Sequence, residues 1–340
     1  MKSVLSTATR NFRFRSMAFL AVFFAVVAGS VTAGAQVTAL PPYSFSVFAT
    51  SKKPHYYQPD SIAVWNNRVF IGYGNNAKPD GTSGSSTIVE YAMDGSVIQT
   101  FTVKGHNDGL KVDPKTNLLW VLQNEDANPN LVIIDPRNRR SKKYTLSKPA
   151  HGGGYDDMAF EGDQVYISAS NPANNPNTQQ AIVKATLNGN HVDVTPILLG
   201  DSNAIDVTTG QQVQLNLQDP DSMRFDAAGD LVLDSQADAE LIVLHHPGAV
   251  NQTVYRVPLS TNNTAVQIDD TVFPEVSQGV ILVSDRDGET VYAVTAPLFG
   301  PDPFSAAPTS LDQLNMSTGV LTPVVSGMVS PHGMYFIPTP

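Results

Sequence analysis

The chain contains no cysteine. Disulfide staples, thiolate nucleophiles and cysteine metal ligands are therefore excluded, and an oxidising compartment is tolerated but not exploited. No window carries apolar residues at three-to-four spacing between helix caps, so no long amphipathic helix is expected. Basic residues are scarce, 21 against 31 acidic ones in 340 residues. Such a balance excludes a surface that holds nucleic acid or anionic lipid by electrostatics. Turn-forming residues are plentiful instead, with 24 Gly and 24 Pro, and 41% of the chain is hydrophobic. That composition fits a folded, turn-rich globular protein of one large all-β domain or two ordinary ones.

Residues 1–16 carry Lys2, Arg10, Arg13 and Arg15 and no acid; "MAFLAVFFAVVAG" and "SVTAGAQ" follow. A basic segment, an apolar run and the small residues Ala33 and Ala35 make the order of a signal peptide cut between Ala35 and Gln36. The alternative is an uncleaved anchor, since residues 17–35 are nearly long enough to span a bilayer. Cleavage leaves 17 basic and 31 acidic residues, a net charge of −14. The expectation is a signal peptide over 1–35 and one exported, periplasmic or extracellular domain over 36–340. After cleavage it is expected to be monomeric, without a membrane or nucleic-acid partner.

One pattern recurs along that domain: an acid, a small or polar residue, then apolar–x–apolar. It reads "PDSIAVW" at Asp60, "NDGLKVD" at Asp108, "YDDMAFE" at Asp156, "PDSMRFD" at Asp221 and "DDTVFPE" at Asp269. A sixth copy, "PHGMYFI", has His332 in the acid's place. The spacings are 48, 48, 65, 48 and 63 residues, which is one unit with two insertions. After each of the first five copies come a tight turn and short runs rich in Val, Ile, Tyr and Phe. In the fifth unit these runs are "VILVS", "TVYAV" and "VLTPVV". Four antiparallel strands per unit of 40–50 residues, repeated radially, predict a β-propeller. A β-sandwich also has frequent turns, but it gives no reason for an acid-led strand every 48 residues.

Six blades are expected, with five or seven as alternatives. The sixth copy ends the chain after a single strand, so its remaining strands are expected from "YSFSVFAT" at residues 43–50 and from "QVTAL". Closing the ring through both termini removes an exposed sheet edge. The run "SLDQLNM" near 310–316 stays unassigned.

In a four-stranded meander, the loop entering strand one and the loop between strands two and three share a face. Here those loops hold His106, His151, the motif acids and long Asn/Asp-rich segments, which marks the binding face for a small-molecule or carbohydrate-like ligand. Five aspartates, Asp60, Asp108, Asp156, Asp221 and Asp269, together with His332 should ring the channel mouth. Carboxylates about 8 Å apart repel by roughly 2 kcal/mol per pair at an effective dielectric near 20. The ring must raise carboxyl pKa values, spread into solvent or hold a cation, with Ca²⁺ favoured and Mg²⁺ or Mn²⁺ next. The other reading is that each Asp only fixes the turn before its strand.

Three local motifs carry less. "HGGG" at His151 lacks a partnering G-x-S-x-G elbow, "GDSN" at Gly200 has no helix after it, and "DRDG" at Asp285 reads as a hairpin turn. His191, His245 and His246 read as surface or packing histidines. Met223 and Phe225, alternating with Arg224, read as core beside a guanidinium.

The segments "NDGLKVDPKTNLLWV" and "DPDSMRFDAAGDLVL" resemble the second and fourth blades of the gluconolactonase–regucalcin (senescence marker protein) family of six-bladed propellers. That resemblance implies a divalent cation at the channel, held by one Glu, two Asn and one Asp that open inner strands. Position by position, the Glu falls on Asp60, the two Asn on Asp108 and Asp156, and the Asp on Asp221; Asn107 is the substitute if the register slips by one. It further implies a metal-dependent lactone or ester hydrolase, with Asp221 as ligand and base and His106, His151 or His332 as proton carriers. Two alternatives remain: a non-catalytic ligand- or protein-binding propeller, and a histidine-using propeller lyase.

Overall fold

A computed structural model describes residues 36–339. The signal segment expected over 1–35 lies outside the described residues. Among the described residues every regular element is a strand, and no helix is long and apolar enough to cross a membrane.

The pairings group the strands into six four-stranded units, of which the first four are meanders. The first runs from Pro59–Trp65 outward through Arg68–Tyr73 and Ser85–Ala92 to Val97–Lys104. The second and third start at Asn107–Val112 and Met158–Glu161, and their outermost strands, Arg140–Leu146 and His191–Leu199, pair in parallel. The fourth starts at Pro220–Phe225 and the fifth at Thr271–Val272. The sixth has Pro331–Pro338 innermost and Ser44–Thr50 outermost, so an N-terminal strand and the C-terminal strand share one sheet.

Alternation explains how the sheets stack. The middle strands of each sheet present apolar residues to both faces, because both faces meet a neighbouring sheet, while outermost strands such as Arg140–Leu146 are largely exposed. Six buried apolar clusters result, one between each adjacent pair. Phe70 and Ile88 of the first sheet meet Leu110 and Val121 of the second, and Leu122 meets Ile167 of the third. Tyr166 meets Leu233 of the fourth, and Val257 meets Leu314 of the fifth. Phe304 meets Val283 of the sixth, and Val291 of the sixth meets Ile71 of the first. The ring closes on itself. The chain is a β-propeller.

Two strand assignments are corrected. "VILVS" and "TVYAV", expected in the fifth unit, form Gly279–Asp285 and Thr290–Thr295 at the centre of the sixth sheet. The fifth sheet resumes only afterwards, with Phe304–Ala307, Ser310–Asn315 and Val320–Ser326. The unassigned "SLDQLNM" is therefore its third strand. The chain leaves the fifth sheet after one short strand, supplies two strands to the sixth, and returns. "QVTAL" also moves: Thr38–Ala39 pairs with Val320–Ser326 of the fifth sheet, not with the sixth. Ser44–Thr50 pairs with Thr290–Thr295, so two strands separate it from Pro331–Pro338.

Four of the six inner strands share a local irregularity. Pro59 and Ile62 lie opposite Tyr73 and Ile71, so three steps on one strand match two on the other. The same one-residue excess occurs between Asn107 and Leu110, Pro220 and Met223, and Pro331 and Met334. These are β-bulges, which bend a strand and re-aim a side chain. They fall on Asp60, Asp108, Asp221 and His332. The small residue after the acid has a packing reason as well. A Cβ on Gly109 would stand 2.4 Å from the Asp156 carbonyl oxygen, and one on Gly333 would stand 2.7 Å from that of Asp60.

Candidate functional site

The bulges turn Asp60, Asp108, Asp221 and His332 into the axial channel. A cavity of about 200 Å³ at its mouth is lined by Asp108, Asp156, Asp221, Asp269 and His332 from the inner strands and the loops that enter them. The loops between second and third strands add Glu125, Asp126, Ser170, Gln236 and Arg286, and Asp219 completes the wall. Seven carboxyl groups thus face a single guanidinium. Asp60 lines a narrower space below, together with Asp108, Asp156, Asp221 and Asp269.

Two sets of donor atoms converge. One atom each from Asp108, Glu125 and Asp156 lie within 4.8 Å of one another, and so do atoms from Asp60, His106 and Asp108. The Asp108 Oδ2 atom is buried and accepts no hydrogen bond. His106 Nε2, at 3.4 Å, is its ion-pair neighbour, and a buried carboxylate oxygen without a hydrogen bond is costly unless a cation, protonated imidazole or metal, satisfies it. An oxygen-rich set of this kind fits a divalent cation such as Ca²⁺.

The titration of these groups reflects crowding. Burial, followed by the charges of Asp221 and Asp108, pushes Asp156 well above the usual carboxylate range. Burial and then Asp269 and Asp219 do the same to Asp221. Asp269 is pushed up to about 7, chiefly by burial and against the pull of His332, and Asp219 to about 6 by burial and Asp238. Asp60 is raised by burial and by Asp108. Asp108 alone moves down: burial opposes its ionisation, but His106, Arg286 and His332 together outweigh burial.

Opposite the acids stand His332 and Arg286. His332 Nδ1 lies 3.0 Å from the Ser330 carbonyl oxygen. A carbonyl only accepts, so Nδ1 carries the proton and neutral His332 presents a lone pair at Nε2. That atom lies 3.5 Å from Asp269 Oδ2 and 3.3 Å from an Arg286 terminal nitrogen. Arg286 comes from the "DRDG" turn, which is a hairpin between Gly279–Asp285 and Thr290–Thr295. Its Asp285 carboxylate accepts hydrogen bonds from Gly288, Val329 and Ser330 N–H groups and fixes the approach to His332.

A second charged layer lies below. Asp157 accepts from Lys111 Nζ at 2.7 Å and from Met223 N–H at 3.0 Å. Asp270 accepts from Met334 N–H at 2.7 Å and pairs with Arg224 at 3.2 Å. Here the second acid of "DD" ties one inner strand to the next, which accounts for its presence in the third and fifth copies.

Two expectations about individual residues are corrected. Asn107 does not stand in at the mouth: its Nδ2 donates to the Gly109 and Leu122 carbonyls, so the amide is engaged by backbone inside the sheet. His151 does not reach the cavity. Its Nε2 donates to the Gly154 carbonyl at 2.8 Å and its ring packs on Tyr155. The "HGGG" glycines let this loop pass between neighbours, since a Cβ on Gly154 would meet the Asn124 and Glu125 carbonyl oxygens within 2.3 Å. His245 contacts Asp230 and His191 contacts Thr145, both away from the mouth. Arg286, Glu125, Asp126 and Asp219 lie outside the repeat motif. The crowding of Asn and Asp in the long loops was the only sequence signal for some of them.

No family model matches the chain, and no curated protein matches it. Solved structures with a similar fold include a streptogramin B lyase, at 13% identity over 88% of this chain and 74% of that one, with a TM-score of 0.44. Virginiamycin B lyase from Staphylococcus aureus aligns at 10% identity over 87% and 89%, TM-score 0.47. A periplasmic gluconolactonase from Pseudomonas aeruginosa aligns at 11% identity over 83% and 89%, TM-score 0.46. These are likenesses of fold, and they carry no residue role to this chain.

Proposed function

We propose that the protein is an exported hydrolase of small lactones or esters that depends on a divalent cation at the channel mouth. The observation that carries this reading is the convergence of Asp108, Glu125 and Asp156 oxygens within 4.8 Å of one another, at a carboxylate whose buried Oδ2 atom has no hydrogen bond and only a 3.4 Å ion-pair contact with His106. Export rests on the signal-like order of residues 1–35.

Asp108, Glu125 and Asp156 would hold the cation, with Asp221 beside them in the cavity wall. When bound, such an ion polarises a carbonyl oxygen and acidifies a water molecule. The chain's own groups do the rest. Arg286 orients oxygen atoms of the substrate and stabilises negative charge as it develops. His332, its Nδ1–H held by Ser330, accepts a proton at Nε2 and is steadied there by Asp269. The polar wall selects a small, oxygen-rich substrate over an apolar one.

The test is turnover of a panel of lactones and esters with Ca²⁺, Mn²⁺, Mg²⁺ or Zn²⁺ added to the metal-free protein. Activity should appear with at least one ion and fall about 100-fold or more in Glu125→Gln and Asp156→Asn. No turnover with any ion overturns the reading. The His332–Asp269 contact also supports a lyase that moves a proton through His332. Oxygen-18 water separates the two: hydrolysis incorporates one labelled oxygen, elimination none.

A further inference from the structure

The second set of converging donors has a chemistry of its own. His106 is 1% exposed, and its Nδ1 lies 3.0 Å from the Ala77 carbonyl oxygen. That carbonyl fixes the proton on Nδ1 and leaves Nε2 facing the channel, 3.4 Å from Asp108 Oδ2 and 3.8 Å from Glu125 Oε1. A metal-bound histidine characteristically gives its other ring N–H to a carbonyl or carboxylate in this way. The ring is held from behind as well. The His106 backbone N–H donates to Asn124 Oδ1 at 3.0 Å, and a Cβ on Gly74 would stand 3.2 Å from the ring.

Asp60 supplies the independent observation. It is 4% exposed, and its carboxylate accepts no hydrogen bond from any described residue; the charges that act on it most are those of Asp108, His332, Arg286 and His106. A carboxyl so deeply buried, bulged out of its strand toward the channel, is without a structural partner. One dication shared by three carboxylates at the mouth leaves Asp60 unserved.

We propose that a second cation binds between Asp60, His106 and Asp108, sharing Asp108 with the first. The imidazole donor makes this a site for a borderline transition ion such as Zn²⁺, whereas the all-oxygen site takes Ca²⁺. The inference rests on the cation reading given above and adds to it a second ion and a selectivity. His106 thereby acts as a ligand, not as a proton carrier.

The experiment is metal loading of the full-length, chelator-stripped protein with Zn²⁺ and Ca²⁺ together, followed by gel filtration, elemental analysis and zinc-edge X-ray absorption. The wild type should retain about one equivalent of each ion, with an imidazole nitrogen in the zinc shell. His106→Gln should lose the zinc equivalent and keep the calcium one. Retention of calcium alone, or an all-oxygen zinc shell, overturns the second site while leaving the first intact. Loss of neither ion in His106→Gln also overturns it, and reduces His106 to an ion-pair partner of Asp108. Retention of neither ion by the wild type overturns both sites. Should His106→Gln fail to fold, the absorption spectrum of the wild type decides alone.

Discussion

Asp285→Ala tests how the last inner strand is held against the rest of the ring. The carboxylate is 1% exposed and accepts N–H groups from Ser330 at 2.7 Å, Val329 at 3.0 Å and Gly288 at 3.2 Å. Hydrogen bonds to a charged acceptor contribute about 1.5–3 kcal/mol each, and three on one group are not additive. Val329 is exposed, so water can reach part of the vacated space. A loss of about 4 kcal/mol is therefore expected. Unfolding entropy of about 2.1 cal/mol/K per residue over about 300 residues is roughly 0.6 kcal/mol/K, which converts that loss into a melting temperature lower by about 6 °C. Circular dichroism melts of wild type, Asp285→Ala and Asp285→Asn measure it, with the asparagine variant about half as affected because one acceptor oxygen remains. A shift under about 1 °C for Asp285→Ala would refute the view that this carboxylate anchors residues 329–330.

Chelation should lower the melting temperature of protein purified with its cation by about 4 °C, since a ligand at 100 times its Kd contributes about 2.7 kcal/mol; no change on chelator addition would count against an occupied mouth. The chelated protein should lose stability as pH rises from 5 to 8. Raised acids such as Asp269 at about 7 and Asp219 at about 6 keep protons in the folded state that the unfolded chain has already released. His106 and His332, raised by their acidic neighbours against burial, contribute stability below their unfolded pKa that is lost as pH rises through the folded one. His151, lowered by burial, acts in the opposite sense but alone. A melting temperature that climbs over this range contradicts the crowding of the ring, and saturating Ca²⁺ should flatten the slope. Gly154→Ala should displace the Glu125 loop by steric contact and weaken Ca²⁺ binding at least tenfold, read by calorimetry; unchanged affinity would mean that Glu125 is not a ligand. His151→Gln should leave Ca²⁺ affinity within about twofold while lowering the melting temperature by a few degrees, because the ring is packed structure; a tenfold loss of affinity would contradict that placement.

The inner ring was legible in the sequence because one local requirement recurs at four of the six copies. The strand must bulge, aim one side chain at the axis and bring the next residue close to its neighbour, and this leaves the acid–small–apolar pattern at Asp60, Asp108, Asp221 and His332. The crossing of Gly279–Thr295 into the sixth sheet was not legible. Apolar alternation tells a strand which faces are buried, but not which of two equivalent sheets it joins. The strand Thr271–Val272 is only two residues long, and "SLDQLNM", an alternating run without a place, was the clue that the count of strands did not close. At the site, the motif acids could be placed because they sit on inner strands or within two residues of their start. Arg286 and Glu125 sit on loops, whose approach to the axis is set by contacts such as those of Asp285 and Gly154, with no periodicity to read. Asn107 shows the converse: beside the expected position in sequence, it faces into the sheet, because the bulge turns only the following residue to the channel.

The central claim is that the mouth acids hold a divalent cation. Calorimetric titration of the metal-free wild type and of Asp156→Asn with Ca²⁺ tests it most directly. Saturable binding by the wild type that weakens at least 100-fold in the variant is the predicted result. No binding heat in the wild type, or equal affinity in both proteins, would contradict the account.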